Sequence, residues 1–387
     1  MKKFFLYSTL IGTSVLCQQV QAIEFDGFLT AGFAVHDQEQ TNGKKLVYLE
    51  EITNDVTFLQ DSKFGLQVTA DVAEDMQVVA QILASAEDDN YSMDVEWAYL
   101  DYAASDSTML RAGRIKQPVF LISDYLEVGY AYPWIRPPAE AYSNMPVDSI
   151  IGVEVLYQAK IGNMNFGIQP YFGSNTEGVP GEQANFFADN YLGMALRLEN
   201  RYFTIQLSSF QTDVSTIGAR ENGDSLNSEG TASLSVASLS WDVANFVGYT
   251  EFTTRDIEAD TDTLNPGNGF NEVPFDYLFA DQDGYYVTLG YRMGKYLPHL
   301  TFAAIDSDPA EEPPVPANQG ARQETVTLGL RYELNDSAAL KMEYAQITLE
   351  DNPGNAGLFS TFDLEDNTNA FKSDTTNLVS VAIDVIF

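Results

Sequence analysis

A half-polar alternation runs through this chain from residue 23 to its last residue, and few folds accept it. The stretch from Asn377 to Phe387 is the clearest case: Val379, Val381, Ile383 and Val385 fall on one face, and Ser380, Ala382 and Asp384 on the other, with Leu378 and Ile386 as apolar exceptions there. A strand of period two can show one face to lipid and the other to water, but it needs backbone partners along both edges. Those partners are present upstream. Phe64, Leu66, Val68, Ala70 and Val72 alternate with Lys63, Gln67, Thr69 and Asp71; Ile151, Val153, Val155 and Tyr157 with Glu154, Gln158 and Lys160; Val326, Leu328, Leu330 and Tyr332 with Thr327, Gly329, Arg331 and Glu333. Interior strands of a soluble sandwich seldom set Lys, Arg, Asp and Gln opposite such a face, so a bilayer is the better solvent for it.

The connections sort into two lengths. Short ones carry turn residues, as at Glu74 with Asp75, Gly162 with Asn163, Glu199 with Asn200, Gly294 with Lys295 and Asn335 with Asp336. Long ones, near 34–51, 87–92, 117–147, 174–189, 212–231, 256–283, 306–322 and 350–374, are acidic and rich in Gly, Pro and Asn. Short turns at one rim and long loops at the other describe an outer-membrane barrel. Strands then fall near 23–33, the second part of 52–72, 76–86, 93–103, 107–116, 148–160, 164–173, 190–198, 202–211, 232–242, 246–255, 284–293, 296–305, 323–334, 338–349 and 375–387. The fold class predicted is all-β: a transmembrane antiparallel up-and-down β-barrel of sixteen strands. Segments 93–103, 107–116 and 232–242 alternate poorly, which predicts a bulge or a shifted register in them.

Lys2 and Lys3 precede an apolar run from Phe4 to Leu16, and Val20, Gln21 and Ala22 offer a small-residue cleavage site. Residues 1–22 therefore read as a secretory signal peptide and 23–387 as the barrel domain. The only cysteine, Cys17, follows a bulky Leu16 where lipoprotein processing wants a small residue, so cleavage after Ala22 is preferred to lipidation. The mature chain then has neither a disulfide nor a thiolate metal site. Taking Lys2 and Lys3 from 20 basic residues leaves all 56 acids, which excludes nucleic-acid binding through a basic patch. Aromatic and aliphatic residues spread along the whole chain argue against the disorder that such charge can signal. No stretch after residue 22 approaches the apolar length of a transmembrane helix.

The stretch after the fifth strand carries the functional reading. It runs Leu110, Arg111, Ala112, Gly113, Arg114, Ile115, Lys116, Gln117, Pro118, then on to Pro146 through Tyr130, Tyr132, Pro133, Trp134, Arg136, Pro137, Pro138 and Tyr142. This segment, with the strand count, the loop order and the terminal Phe387, resembles the Gram-negative general porin superfamily. The resemblance implies a bacterial outer-membrane location, an inward-folded third external loop at about 117–147, a homotrimer, and passive diffusion of small hydrophilic solutes. A sixteen-stranded barrel is wide enough to hold water, so a loop must narrow it if passage is to be selective.

The loop acids are Asp124, Glu127 and Glu140. Arg114 and Lys116 leave the adjacent wall on one face by alternation, and Lys63 lies on the polar face of the second strand. Opposed charges across a water-filled gap would set up a transverse field, so the expected constriction comprises Lys63, Arg111, Arg114, Lys116, Asp124, Glu127, Arg136 and Glu140. Arg111 cannot share the face of Arg114 in a regular strand. Arg136 is also spaced to pair with Glu140. Tyr130, Tyr132 and Trp134 read as wedges against the wall ahead of a sugar track, and Arg197, Arg292 and Arg331, near the short-turn rim, as solvated in the lumen or paired with Glu199 and Glu333.

Acidic runs at Glu87–Asp89, Asp256–Asp262, Asp306–Glu312 and Asp363–Asp366 fall in the predicted outer loops. They read as a solvated, self-repelling surface first, and as weak Ca2+ or Mg2+ sites bridging to lipopolysaccharide second, because none keeps the spacing of a calcium loop. No cofactor is expected otherwise. An acidic mouth enriches cations, so a cation-preferring channel is predicted, with a channel specific for an anion or oligosaccharide as the alternative. A barrel hydrolase is the third reading. It is disfavoured, and the chain is read as no enzyme, because the two histidines, His36 and His299, fall at opposite barrel ends and no nucleophile elbow or paired-histidine motif is present.

Overall fold

The computed structural model describes residues 23–39, 46–49, 51–87, 90–145, 147, 149–178, 183–219, 225–259, 281–308, 322–350, 357–360 and 373–387. The signal-peptide reading, the acidic run Asp363–Asp366 and parts of the other three acidic runs lie outside the described residues.

The strands are β1 (Ile23–His36), β2 (Val47–Tyr48), β3 (Lys63–Ala73), β4 (Met76–Glu87), β5 (Asn90–Ser105), β6 (Thr108–Lys116), β7 (Ser149–Ile161), β8 (Met164–Gly178) and β9 (Gln183–Glu199). They continue with β10 (Phe203–Ala219), β11 (Ser225–Val243), β12 (Phe246–Ala259), β13 (Asp281–Tyr291), β14 (Tyr296–Asp308), β15 (Arg322–Asn335), β16 (Ala338–Leu349), β17 (Phe359–Ser360) and β18 (Thr375–Ile386). Leaving out the two short strands, sixteen close into one antiparallel barrel in which each pairs with its neighbours in sequence. All sixteen predicted segments are present.

Closure falls where the alternation requires it. β18 pairs with β1 from Phe28 opposite Ile386 to His36 opposite Leu378, and β1 pairs with β3 on its other edge. Phe387 extends the seam, since Gly27 N donates to its carbonyl at 2.8 Å and its own N donates to Gly27 O at 3.0 Å. Its ring occupies the space a Cβ on Gly27 would need, so glycine there lets the ring lie against the backbone of β1. On β18, Val379 and Ile383 are exposed outward while Ser380, Ala382 and Asp384 are buried inside. The short turns close as expected; between β11 and β12 both Ala244 and Asn245 take positive φ, which suits a tight hairpin.

Two expectations are corrected. Segments 174–189 and 212–231 are mostly strand, because β8 to β12 run on past the apolar band. Above the membrane both faces of a strand can be polar, so the outward alternation that identifies a bilayer strand fades there although the ladder continues. The irregularity expected in 93–103 is real: β5 carries a bulge at Glu96, with Val95 opposite Ile82 and Trp97 opposite Gln81. In 107–116 the pairing with β7 is unbroken, while the pairing with β5 shifts register between Ala103 and Ser105, opposite Met109 and Thr108. β11 has no bulge; it alternates poorly because Leu234 and Val236 are buried inside the barrel while Leu239 faces out.

That last observation extends further. Much of the lumen is filled by apolar packing: Val119, Phe120 and Val147 from the loop after β6 join Tyr171, Tyr191, Phe210, Leu234 and Val236 from the wall. A second cluster sits under the ladder of β2 with β17, where Tyr48 and Phe359 cover Ala34, Ile347 and Leu378.

Candidate functional site

Residues 117–145 fold into the barrel and cross it. Short helical turns at Ser123–Tyr125, Gly129–Ala131 and Ala139–Tyr142 (α1) compact the segment, and wall side chains hold its backbone, which would otherwise be buried without partners. Gln206 Nε2 donates to Phe120 O at 3.1 Å, Leu121 N donates to Glu251 Oε2 at 2.9 Å, and Ile135 N to Glu343 Oε1 at 2.9 Å. Lys341 Nζ donates to the carbonyls of Gly129 and Trp134, and Arg331 to those of Tyr130 and Tyr132. These contacts line the wall from β10 round to β18.

The aromatic residues are wedges. Trp134 is buried against Tyr249 and Tyr286, and its Nε1 donates to Thr288 Oγ1 at 2.9 Å and Thr301 Oγ1 at 3.1 Å. Tyr132 is buried too, its hydroxyl donating to Leu126 O at 2.9 Å. Only Tyr130 reaches the short-turn rim, where its hydroxyl donates to Asp336 O at 2.9 Å.

The predicted constriction residues part into three groups. Arg136 and Glu140 fasten the loop and do not pair with each other. Arg136 binds Asp61 and donates to Ser380 Oγ at 2.6 Å, while Glu140 is buried and accepts from Gln323 Nε2 at 2.8 Å and from Thr325. Their spacing suggested a helical pair, but α1 is a single turn and each side chain finds a wall strand instead.

Lys63, Lys116 and Glu127 form a second group. Glu127 Oε2 lies 2.9 Å from Lys63 Nζ and Oε1 lies 3.7 Å from Lys116 Nζ, with Lys116 also bound to Glu96. The expected gap between these loop and wall charges is therefore closed by direct contact. Burial alone would raise the Glu127 carboxyl, but Lys63 and Lys116 outweigh it and hold it down at about 2.

The third group is Arg111 and Asp124. Arg111 reaches into the lumen, its Nε donating to Asp101 Oδ1 at 2.7 Å and its NH1 to Glu154 Oε1 at 2.7 Å, under the ring of Tyr99 at 4.0 Å. Gln169 Nε2 completes the row by donating to Glu154 Oε2 at 2.7 Å. Asp124 is exposed and makes no hydrogen bond or ion pair among the described residues. Asp101, Arg111, Glu154 and Gln169 thus form a polar patch on β5 to β8, while Tyr171 on β8 and Tyr191 on β9 pack against the loop.

Arg114 is outside this arrangement. It stands in register with Ala98 and Ile151, whose side chain is 65% exposed on the outer wall, and its Nε donates to Glu96 O at 3.4 Å. Arg111 is the lumenal one of the two arginines, and the alternation that turns Arg114 outward does not extend to Lys116, the last residue of β6, which reaches Glu96 and Glu127. Arg114 therefore does not belong with Lys63 and Lys116.

Asp101 and Glu154 were not singled out from sequence, although Glu154 lies on a polar face; only the cross-strand register brings both to Arg111. Arg197 and Arg331 do pair with Glu199 at 3.0 Å and Glu333 at 2.7 Å as expected. Among the described residues no group of three or more His, Cys, Asp or Glu is placed to hold a metal ion.

A sequence profile described as Gram-negative porin matches residues 10–352, while no curated protein matches in sequence. The barrel is similar to the solved structure of OmpT, an outer membrane protein of Vibrio cholerae, at TM-score 0.58 and 14% identity over 97% of this chain and 100% of that one. It is similar to the trimer form of that protein at TM-score 0.56 and 13% identity over 95% and 99% of the two chains. An anion-selective porin from Comamonas acidovorans is similar at TM-score 0.57 and 14% identity over 95% and 100%. Profile, barrel and lumenal loop agree: the chain belongs to the Gram-negative porin family and is a protein of the bacterial outer membrane.

Proposed function

We propose that this porin is a cation-preferring channel for passive diffusion of small hydrophilic solutes. The observation that carries the reading is the charged, hydrogen-bonding patch on β5 to β8 beside the docked loop. Arg111 is matched there by Asp101 and Glu154, and the two lysines by Glu96 and Glu127. Asp124 is the loop charge left facing water, and acids outnumber basic residues 56 to 20 in the chain. Such a field concentrates cations. A reversal potential in a salt gradient across a planar bilayer tests the sign.

A homotrimer is supported by Arg114. It interrupts an apolar stretch of the outer wall that includes Val95, Leu110, Ile151 and Val153, between Tyr102 towards the short turns and Tyr91 towards the loops on the neighbouring strand β5. An arginine facing lipid at mid-depth costs about 2–4 kcal/mol, and a second copy of the chain over this face would relieve that cost. A hydrolase reading has less support, because His36 ends β1 on the loop side and His299 lies beside the short turn before β14.

A further inference from the structure

We propose that a pocket at the short-turn mouth of the barrel binds neutral sugars, an inference that rests on the reading of the barrel as a channel for small hydrophilic solutes. Asp26 on β1, Gln67 on β3 and Gln81 on β4 stand side by side in cross-strand register. All three line one pocket of about 510 Å3, and small-molecule pockets run from about 300 to 1,000 Å3. Ser337, in the turn between β15 and β16, places it at the short-turn rim. Phe28 and Ile386 beside the barrel seam and Val128 from the lumenal loop supply its apolar side.

The polar wall of this pocket is uncommitted. Elsewhere in the lumen the glutamine amides are in use: Gln206 holds Phe120 O, Gln323 holds Glu140 and Gln169 holds Glu154. Gln67 and Gln81 make no side-chain hydrogen bond among the described residues, and Gln81, only 4% exposed, buries its Oε1 without a partner. Trp97, opposite Gln81 on β5, also buries an indole N–H that meets no acceptor. The last side-chain torsion of glutamine is broad and roughly two-fold, so a turn about it presents either end of the Gln81 amide to the pocket. A ligand for this wall must donate to the Asp26 carboxylate and the amide oxygens, and accept from the amide nitrogens. A hydroxyl does both at one atom, and the C–H face of a sugar ring suits Phe28, Val128 and Ile386. Among the described residues no Lys or Arg lines the pocket, so it has nothing to hold an anionic group. An organic cation would use Asp26 and leave both amides unmet.

The test titrates glucose against the potassium chloride current of the folded full-length protein in planar bilayers, with a polyethylene glycol of similar size as the control for volume and viscosity. Glucose should reduce the current along a saturating curve, and the glycol only in proportion to its concentration. Gln81→Met keeps the length of the side chain and removes its hydrogen bonds, so the half-saturating glucose concentration should rise about three- to tenfold. Gln67→Met should act in the same direction. Removing an orphaned buried acceptor does not weaken a fold, so the Gln81→Met barrel should keep the parent's resistance to heat, which separates lost binding from lost structure. A glucose response no different from that of the glycol, or a half-saturating concentration unchanged in Gln81→Met, overturns the proposal while the channel still conducts. A barrel that inserts without conducting overturns the channel reading as well.

Discussion

Lys341 Nζ and Asp384 Oδ2 meet at 2.9 Å inside the barrel, with only 1% and 2% of their side-chain surfaces exposed. Thr30 Oγ1 donates to the other oxygen of Asp384 at 2.7 Å, and Lys341 also donates to two loop carbonyls. This pair joins the seam of the barrel to the middle of the lumenal loop. Lys341→Met leaves a buried carboxylate without its cation, which costs about 3–5 kcal/mol, whereas Lys341→Met with Asp384→Leu removes both charges and recovers most of it. The temperature at which the folded barrel loses its compact mobility in detergent gels reads the difference.

Trp134 fills the space between Tyr249 and Tyr286 and satisfies its indole N–H on two threonines. Trp134→Ala is expected to destabilise the docked loop by about 3–5 kcal/mol. The barrel itself is held by its ladders, so the expected readout is a larger or noisier single-channel current from a barrel that still inserts.

Arg114 on the outer wall predicts an assembly defect. Arg114→Glu reverses the charge presented to a covering copy and should convert trimers to monomers in size-exclusion chromatography with light scattering, without loss of strand content by circular dichroism. An unchanged mass would place the arginine against lipid.

The Glu127 carboxyl, held at about 2 against burial, fixes a pH window. Its folded value is depressed, so its contribution to holding the loop is present above the ordinary carboxylate range and is lost as pH falls through about 2. The difference in selectivity between the parent channel and Glu127→Gln should therefore stay constant from about pH 8 to about pH 4 and collapse only towards pH 2. A difference that disappears near pH 5 would mean that the two lysines do not hold this carboxylate.

The barrel was legible because lipid forces every second side chain of a spanning strand to be apolar, and segments such as 63–72 and 375–387 show this without help from their neighbours. The strand ends on β8 to β12 were not, since in water that constraint lapses. The loop was legible as a segment, but its docking was not. Lys341 and Glu251 look like any other residue on a polar face until the fold brings the loop to them. The run Val119, Phe120, Leu121, Ile122 was a signal that could have been used: four consecutive apolar residues in a nominally external loop, all buried in the structure. Arg111 and Arg114 could be parted by alternation, but which of them faced inward depended on Asp101 and Glu154 arriving in register beside Arg111.

The most direct measurement is the reversal potential of single channels formed by the purified protein in a potassium chloride gradient. Discrete water-filled channels that pass potassium in preference to chloride are expected. A barrel that inserts without conducting, or channels that prefer chloride, would contradict the account.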